Sequence, residues 1–181
     1  MSSTLSKADA SAVPRLKITE IFFSLQGEAR TVGCPTVFIR LTGCPLRCQY
    51  CDTAYAFTGG SWMSLPEILE QVKTHGAHFV TVTGGEPLAQ PNCLALLQSL
   101  CDAGYSVSLE TGGANDISGV DARVSKVMDL KTPGSCESGR NRWQNLQYIT
   151  RHDQIKFVIC DRAGFALQGK ENLRDLKTRG G

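Results

Sequence analysis

Three cysteines lie close together in residues 43–53 with the spacing C-x3-C-x2-C: Cys44, Cys48 and Cys51. Thiolates are soft ligands that bind zinc and iron–sulfur clusters. A structural zinc site takes four protein ligands, whereas no fourth cysteine follows closely here and the three histidines are scattered along the chain. Three thiolates on one short loop suit a four-iron cluster whose fourth iron is open to a small molecule. We therefore predict such a cluster, with a zinc site as the alternative.

The other five of the eight cysteines have less informative surroundings. Cys93 and Cys101 lie in an apolar helical stretch, and we predict that both are small core residues. Cys160 ends a strand-like run and is predicted to pack as well. Cys34 is interpreted as a spare thiol, and Cys136 lies in a polar loop that suggests no role. A disulfide set is disfavoured because residues 1–14 lack the apolar stretch of a signal peptide.

Further polar and glycine-rich turns directly follow predicted strands, as the cysteine loop does. These turns are Gly84-Gly85-Glu86-Pro87, Glu110-Thr111-Gly112 and the position of Lys131. The carboxyl ends of parallel strands meet at one edge of a sheet, which is where ligands bind in α/β folds. We therefore expect these turns to form one site together with the cysteines.

The elements that must position these turns are predicted from apolar periodicity. Strands are predicted at residues 16–24, 36–41, 78–83, 106–110, 126–130 and 154–159, helices at 64–75 and 92–103, and a polar stretch of helical character at 142–150. Ser64, followed by Glu67, forms a capping-box pattern that opens the first helix. The alternation predicts an α/β fold with a parallel sheet wound by crossovers.

The composition is that of a single globular domain, with 41% hydrophobic and 20% charged residues in a chain of 181. Lysine and arginine number 19 and aspartate and glutamate 17, for a net charge of +2. Such a balance gives no strong positive field for binding nucleic acid. No apolar run reaches the length of about 18 residues that a membrane span needs. We expect a disordered, solvated extension at residues 1–14 and a cytoplasmic location.

The cysteine triplet resembles the cluster motif of the radical S-adenosylmethionine superfamily, and residues 84–87 resemble its methionine-binding turn. Within that superfamily, residues 25–28, Arg40 and the sequence Cys-Asp-Thr at 51–53 are similar to the 7-carboxy-7-deazaguanine synthases. The similarity runs from residue 19 to residue 159. It implies a partial, open TIM-like (β/α)6-type barrel, with the radical S-adenosylmethionine core domain at residues 15–160.

The resemblance implies three cofactors, namely a [4Fe-4S] cluster, S-adenosylmethionine and Mg2+. The implied ligands are Cys44, Cys48 and Cys51 for the cluster and Thr53 for magnesium. The residues implied to contact S-adenosylmethionine are Tyr50, Cys51, Asp52, Gly85, Asp129, Leu130 and Lys131. At the last three of these positions many relatives read Ser-Pro-Lys, so Asp129 and Leu130 depart from the family pattern while Lys131 keeps its type.

The substrate implied by the resemblance is 6-carboxy-5,6,7,8-tetrahydropterin, which is converted to 7-carboxy-7-deazaguanine with release of ammonia on the way to queuosine. The implied substrate-binding residues are Leu25, Gln26, Gly27, Glu28, Arg40 and Thr83. The first three would bind the pterin edge mainly through backbone groups. Glu28 would accept hydrogen bonds from the guanidine-like part of the pterin, and the planar fork of Arg40 would bind the carboxylate. The implied partners are a flavodoxin- or ferredoxin-type electron donor and a second copy in a homodimer.

Two further departures from the family pattern affect the chain outside these motifs. Ala29 stands where many relatives have glycine, which removes some backbone freedom. Residues 161–181 form an atypical tail that does not resemble the family, so we expect the C-terminal elements to be truncated. The strand at 154–159 would then be an exposed sheet edge. We hypothesise that the cluster half assembles while turnover of the substrate is poor.

Other functions stay open at this point. A glycyl-radical activating enzyme shares the cluster and the turn at 84–87, but it gives no reason for residues 25–28 followed by Arg40. An inactive cluster- or zinc-binding relic without turnover is the other alternative.

Single residues also have simpler interpretations. Glu28 and Arg40 would pair with each other at a surface, and Lys131 would be a solvated lysine at a strand end. Glu86 is interpreted as a residue that orients its turn rather than as a catalytic base. Thr53 would only cap the loop that follows Cys51.

Overall fold

The computed structural model describes residues 13–160 and 162. Its strands and α-helices, in chain order, are β1 (Arg15–Leu25), β2 (Pro35–Leu41), β3 (Ser61–Ser64), α1 (Leu65–Thr74), β4 (Phe79–Gly84), α2 (Cys93–Asp102), β5 (Ser106–Thr111), β6 (Ser125–Asp129) and β7 (Gln154–Lys156). Short 3-10 helices cover Ala54–Phe57, Pro87–Ala89, Pro133–Ser135, Ser138–Arg140 and Trp143–Tyr148. Neither α-helix in this part of the chain is both long and apolar enough to cross a membrane.

The seven strands form one mixed sheet in the order β3-β1-β2-β4-β5-β6-β7. Strands β2, β4, β5, β6 and β7 run parallel, whereas β1 runs antiparallel to both β2 and β3. The predicted α/β fold with an open, partial barrel is confirmed. The expectation of a parallel sheet is wrong at β1 and β3. Residues 26–34, which join β1 to β2, are too few for the crossover that parallel neighbours require.

The core lies between the sheet and the two α-helices. Each helix buries one stripe, which comprises Ile68 and Val72 on α1 and Cys93, Leu96, Leu97 and Leu100 on α2. These side chains pack on alternate residues of the strands, namely Val37, Ile39 and Leu41 of β2, Val80 and Val82 of β4, and Val107 and Leu109 of β5. Because side chains alternate across a strand, the residues between them face the other side of the sheet.

The predicted helices begin and end close to the observed ones. The capping box at α1 is confirmed, since the Glu67 carboxylate accepts hydrogen bonds from both the backbone N–H and the hydroxyl of Ser64, each at 2.7 Å. At α2 the predicted limits, Asn92 and Ala103, are the residues that flank the helix. The strand β3 was not predicted because its four residues are too few to show a period.

The last third of the described chain has less regular structure than predicted. The stretch at 142–150 is a 3-10 helix, Trp143–Tyr148, held by the fully buried side chain of Asn145. That amide donates to the carbonyls of Gly113 and Asn115 at 3.1 and 2.7 Å. The strand predicted at 154–159 ends at Lys156, because two residues later the Val158 carbonyl accepts a hydrogen bond from the Thr132 hydroxyl, at 2.7 Å, instead of a strand partner.

The cysteines outside the triplet differ in burial. Cys93 is fully buried in the core, as predicted, and Cys101 packs against the core from a partly buried position. The prediction that Cys160 is packed is wrong, because the chain has left the strand at that point and the thiol is exposed. Cys34 is partly buried and Cys136 is exposed.

The predicted terminal segments lie largely outside the described residues. Of the extension at residues 1–14, only Val13 and Pro14 are described, and the Pro14 carbonyl accepts a hydrogen bond from Leu65 N at 3.2 Å. Of the tail at residues 161–181, only residue 162 is described.

Candidate active site

A cavity of about 690 Å³ lies on the face of the sheet opposite the α-helices. It extends from the cysteine loop, at the carboxyl ends of the parallel strands, to residues 25–28 beyond the end of β1. Fifteen predicted site residues line it: Leu25, Gln26, Gly27, Glu28, Arg40, Cys44, Cys48, Tyr50, Cys51, Asp52, Thr53, Thr83, Gly85, Asp129 and Lys131. Leu130 does not line it, because alternation turns its side chain into a second core cluster with Ile117 and Met128.

The cysteine loop is fixed by backbone hydrogen bonds where it leaves β2. Gly43, with φ of +98°, donates from its N–H to the Ala56 carbonyl at 2.8 Å. The Arg47 guanidinium donates to the Cys44 carbonyl at 2.6 Å. The three thiols are partly buried, and burial raises the pKa of Cys44 and of Cys48. Metal binding at these residues must therefore release thiol protons.

The spacing of the thiols bears on the kind of metal group they suit. Within residues 13–160 and 162, no three His, Cys, Asp or Glu side chains are close enough together to bind a single metal ion. In a four-iron cluster each thiolate binds a different iron, so its ligands do not converge on one point. Three thiols on one loop are the ligand set that such a cluster takes when its fourth iron is open.

The turn at residues 84–87 packs directly on the cysteine loop. A Cβ atom at Gly85 would lie 2.2 Å from the Gly43 carbonyl oxygen and 2.8 Å from Cys44 Cβ, so only glycine fits there. The Glu86 N–H donates to the same Gly43 carbonyl at 2.8 Å. The two motifs that stand forty residues apart in the sequence are thus one surface of the cavity.

The side chain of Glu86 joins this turn to the end of β5. It is fully buried and accepts hydrogen bonds from the Thr111 hydroxyl, at 2.9 and 3.0 Å, and from Gly112 N at 2.7 Å. Burial raises the pKa of Glu86, and these hydrogen bonds oppose the shift. A carboxylate with so many protein donors orients its turn.

Asp129 and Lys131 form a polar pair beside Tyr50. Lys131 Nζ lies 3.1 Å from Asp129 Oδ2 and 6.0 Å from the centre of the Tyr50 ring. The interpretation of Lys131 as a solvated lysine is wrong, since its side chain is only 10% exposed. Asp129 Oδ1 is buried and has no hydrogen-bond partner among the described residues. A buried acceptor that lines a cavity is suited to a hydrogen-bond donor on a bound ligand.

Tyr50 is the aromatic member of this group. Burial, reinforced by the charge of Asp129, raises the pKa of its phenol to about 12. Tyr50 therefore keeps its proton at neutral pH and stays uncharged beside the cavity.

Arg40 does not pair with Glu28, so the predicted alternative in which they neutralise each other is wrong. Its Nε atom donates to Glu20 Oε1 at 2.6 Å, and the Tyr55 hydroxyl donates to the same oxygen at 2.8 Å. The guanidinium carbon lies 5.7 Å from the ring centres of both Phe22 and Tyr55. Arg40 lies beside Glu20 because the two residues are direct partners in the antiparallel pairing of β1 with β2.

Glu28 pairs instead with Lys156, a residue of β7 that the sequence did not single out. Lys156 Nζ lies 2.9 Å from Glu28 Oε1 and 3.9 Å from Asp129 Oδ2. Burial works to lower the pKa of Lys156, but the neighbouring carboxylates of Glu28, Asp129 and Glu110 outweigh it and raise the pKa. One ammonium group thus links the loop at 25–28 to the end of β6.

The backbone of the loop at residues 25–28 is less available to a ligand than predicted, because the backbone groups of Gln26 are paired within the protein. Gln26 N donates to the Cys34 carbonyl at 3.0 Å and the Gln26 carbonyl accepts from Gly33 N at 2.7 Å, so both backbone groups are used within the hairpin. The Gln26 amide donates to Thr81 Oγ1 at 3.1 Å and accepts from Glu28 N at 3.2 Å. Ala29, which follows, has φ of +64°.

Thr53 and Asp52 place two hard oxygen atoms at the rim of the cavity. The Thr53 hydroxyl donates to Asp52 Oδ1 at 2.7 Å. Thr53 also precedes the 3-10 helix after Cys51 as its N-cap residue. It caps this helix through its backbone, since its carbonyl accepts from Ala56 N at 2.9 Å while its side chain makes no capping hydrogen bond.

Glu110 was noted in the sequence without a role, and the structure places it in the cavity wall. Its Oε2 atom accepts a hydrogen bond from the Thr83 hydroxyl at 2.9 Å. Burial raises the pKa of Glu110, and the hydrogen bond from Thr83 opposes the shift. Glu20, Tyr55 and Lys156 gave no signal in the sequence, since only strand pairing and the path of the loop after Thr53 bring them here.

The sequence matches the family model of the Radical SAM superfamily over residues 38–131, from β2 to Lys131. A 7-carboxy-7-deazaguanine synthase of Koribacter versatilis is 46% identical over 152 residues, which are 83% of this chain and 67% of that protein. One of Chlorobaculum tepidum is 48% identical over 153 residues, 83% of this chain and 70% of that protein. The chain belongs to the 7-carboxy-7-deazaguanine synthase family of radical SAM proteins.

The fold of a solved member of this family agrees. The crystal structure of QueE from Escherichia coli superimposes with a TM-score of 0.71 at 26% identity, covering 86% of this chain and 76% of that one. Membership in the radical SAM superfamily implies a [4Fe-4S] cluster and S-adenosylmethionine. The cavity fits both groups, since three thiols line it beside a glycine with no room for a side chain and a buried acceptor at Asp129.

Proposed function

We propose that this chain converts 6-carboxy-5,6,7,8-tetrahydropterin to 7-carboxy-7-deazaguanine with loss of ammonia, as a carbon–nitrogen lyase. One observation carries the proposal. The cysteine triplet, the turn at 84–87 and Arg40 line one cavity of about 690 Å³, which is large enough for a cofactor and a pterin side by side. The names of the two relatives support the same reaction.

The end of the cavity at the cysteine loop would hold the cofactors. Cys44, Cys48 and Cys51 would ligate the cluster, and Gly85 would bring its backbone close to the methionine part of S-adenosylmethionine. The nucleoside part would lie against Tyr50, Asp52, Asp129, Leu130 and Lys131, with Leu130 contributing backbone only because its side chain is in the core. The bound cofactors supply hydrogen-atom abstraction from the substrate, while the protein orients the substrate and excludes water.

The other end of the cavity would hold the pterin. Arg40 would bind the substrate carboxylate, and Glu28 would accept hydrogen bonds from the guanidine-like edge of the ring. The Glu28 carboxylate is already positioned by Lys156, whose Nζ atom lies 2.9 Å from Glu28 Oε1. Leu25, Gln26, Gly27 and Thr83 would complete the wall. The backbone groups of Gln26 and its side-chain amide are already paired within the protein, so Gln26 would shape the wall rather than offer a free backbone group.

Magnesium would bind at the rim through Thr53. The Thr53 hydroxyl and the Asp52 carboxylate lie 2.7 Å apart and supply hard oxygen donors. Mg2+ keeps several waters and takes few protein ligands, so a single hydroxyl with help from the substrate is enough to place it.

The remaining expectations from the family concern the wider context. We propose that the core domain at residues 15–160 acts as a homodimer in the cytoplasm and receives electrons from a flavodoxin- or ferredoxin-type protein. The oxygen sensitivity of iron–sulfur clusters favours reducing surroundings.

The experiment that tests the proposal is anaerobic reconstitution with iron and sulfide, followed by assay with dithionite, S-adenosylmethionine, Mg2+ and 6-carboxy-5,6,7,8-tetrahydropterin. We expect a brown protein that produces 7-carboxy-7-deazaguanine and 5′-deoxyadenosine. Formation of 5′-deoxyadenosine alone would mean that the cofactor end works while the substrate pocket is damaged or takes another substrate, and failure to take up iron would favour a zinc site. Normal formation of 7-carboxy-7-deazaguanine would contradict the hypothesis that turnover is poor. Cys48→Ala should lose bound iron, whereas Cys101→Ala, which alters a thiol on α2, should retain it.

A further inference from the structure

The guanidinium of Arg40 makes its hydrogen bond to the described residues through Nε alone. Its Nε atom is bound to Glu20 Oε1 at 2.6 Å, and neither terminal nitrogen has a hydrogen-bond partner within residues 13–160 and 162. The Arg40 side chain is only 16% exposed and faces the cavity. The Nη1–Nη2 edge therefore presents two N–H groups away from Glu20 that have no acceptor in the part of the chain that the structure describes.

An irregularity in β1 creates this arrangement. Ile18 pairs with Leu41, but Glu20 rather than Thr19 pairs with Arg40, so one extra residue is inserted into β1. Such a β-bulge reverses which residues face each side of the sheet. Ile18 and Ile21 thus both pack on the core, while Glu20 stands on the same side as Arg40. Without the bulge, Glu20 would face the core.

Two aromatic rings and a second hydrogen bond hold the pair. The Arg40 guanidinium carbon lies 5.7 Å from the ring centres of Phe22 and of Tyr55. The Tyr55 hydroxyl donates to the Glu20 oxygen that also accepts from Arg40. Burial works to raise the pKa of Glu20, but hydrogen bonds from Arg40 and Tyr55 and the Arg40 charge lower it overall. Glu20 is therefore ionised at neutral pH.

We propose that Glu20 and Tyr55 are positioning residues that hold Arg40 so that its Nη1–Nη2 edge receives the substrate carboxylate. The inference rests on the proposed function, since it assigns the geometry of the carboxylate contact in the same site. A guanidinium offers two edges with paired N–H groups, one that includes Nε and one that does not. Glu20 occupies the first, so a bidentate carboxylate can bind only at the second.

The positioning role predicts a specific pattern of Michaelis constants. In Glu20→Gln the side-chain oxygen still accepts from Arg40 and Tyr55, so KM for the carboxylated pterin should stay within about threefold of the wild-type value. In Glu20→Leu the guanidinium loses its anchor, and that KM should rise about tenfold. KM for S-adenosylmethionine should not change in either variant. Tyr55→Phe should lie between them, because it removes one of the two hydrogen bonds.

Binding measurements separate positioning from general damage. Calorimetric titration of the reconstituted protein, without reductant, should show weaker binding of 6-carboxy-5,6,7,8-tetrahydropterin to Glu20→Leu. Tetrahydropterin without the carboxylate should bind wild type and Glu20→Leu equally. Glu70→Leu, a change at an exposed residue of α1, serves as the matched control and should bind both ligands as the wild type does.

Three results would overturn the inference. The first is that Glu20→Leu binds the carboxylated pterin as tightly as wild type, and the second is that it loses affinity for both pterins equally. The third is that Glu20→Gln is as impaired as Glu20→Leu. The proposed function fails separately, and this inference with it, only if the wild-type protein neither binds nor converts the carboxylated pterin.

Discussion

Ala29 is the clearest case of local strain at the residue scale. Its φ of +64° lies in the left-handed region, where a Cβ atom costs about 1 kcal/mol relative to glycine. We predict that Ala29→Gly raises the free energy of unfolding by about 0.5–1 kcal/mol, as measured by urea denaturation. Ala54→Gly is the matched control. Ala54 is exposed and does not have a positive φ, so glycine there should destabilise. A loss of stability in Ala29→Gly would contradict the prediction.

Glu110 is a buried carboxyl whose ionisation works against folding. Burial raises its pKa from the ordinary 4.5, and the hydrogen bond from Thr83 opposes the shift. A carboxyl with a raised pKa binds its proton more tightly in the folded state, so its contribution to stability falls as pH rises from the unfolded pKa through the folded one. Glu110→Gln cannot ionise and keeps an oxygen that can accept from Thr83.

We therefore predict that Glu110→Gln is more stable than wild type at neutral pH. The difference in the free energy of unfolding should shrink as pH falls toward 4.5, the ordinary pKa of a glutamate. Urea denaturation across this pH range measures the effect. A difference that stays constant with pH would show that ionisation of Glu110 is not the cause.

At the scale of elements, the contact between two loops decides whether the cofactor end of the cavity forms. A Cβ atom at Gly85 would lie 2.2 Å from the carbonyl oxygen of Gly43, which is backbone and cannot rotate away. We predict that Gly85→Ala forces the turn at 84–87 away from the cysteine loop. The reconstituted variant should hold less iron and should lose affinity for S-adenosylmethionine at least about tenfold.

The control for Gly85→Ala is Gly139→Ala. Gly139 has open space where its Cβ would stand and has no positive φ, so alanine there should leave iron content and cofactor affinity unchanged. Far-ultraviolet circular dichroism of both apo variants should match wild type, because neither residue lies in an α-helix or a strand. Normal iron content and cofactor affinity in Gly85→Ala would contradict the predicted displacement.

The limits of prediction from sequence also appear at this scale. Apolar runs located β1 and β2, but not the extra residue at Thr19 that puts Glu20 beside Arg40. A bulge has no compositional signal when its neighbours are ordinary strand residues. Lys156 could not be predicted from the sequence for a similar reason, since its position in the cavity depends on the pairing of β7 with β6. Residues at the ends of strands were predictable, because the order of a parallel sheet brings them together.

At the scale of the whole molecule, the proposed cofactor and substrate regions lie at opposite ends of one cavity on one side of an open sheet. The cysteine loop and the turn at 84–87 form one end, and Arg40 and residues 25–28 form the other. The helices pack on the opposite face, so ligands can enter without disturbing the main core. Changes at one end of the cavity should therefore leave the other end competent to bind its own ligand.

This separation can be tested through ligand-linked thermal stability. A ligand present at a hundred times its dissociation constant stabilises the folded state by about 2.7 kcal/mol, and each kcal/mol raises Tm by about 2–4 °C for a domain of this size. We predict that S-adenosylmethionine and the carboxylated pterin each raise Tm of the reconstituted wild-type protein when reductant is absent. Arg40→Leu should lose most of the pterin shift and keep the full S-adenosylmethionine shift. Loss of both shifts would mean that the two regions are not independent, whereas an intact pterin shift would remove Arg40 from the substrate site.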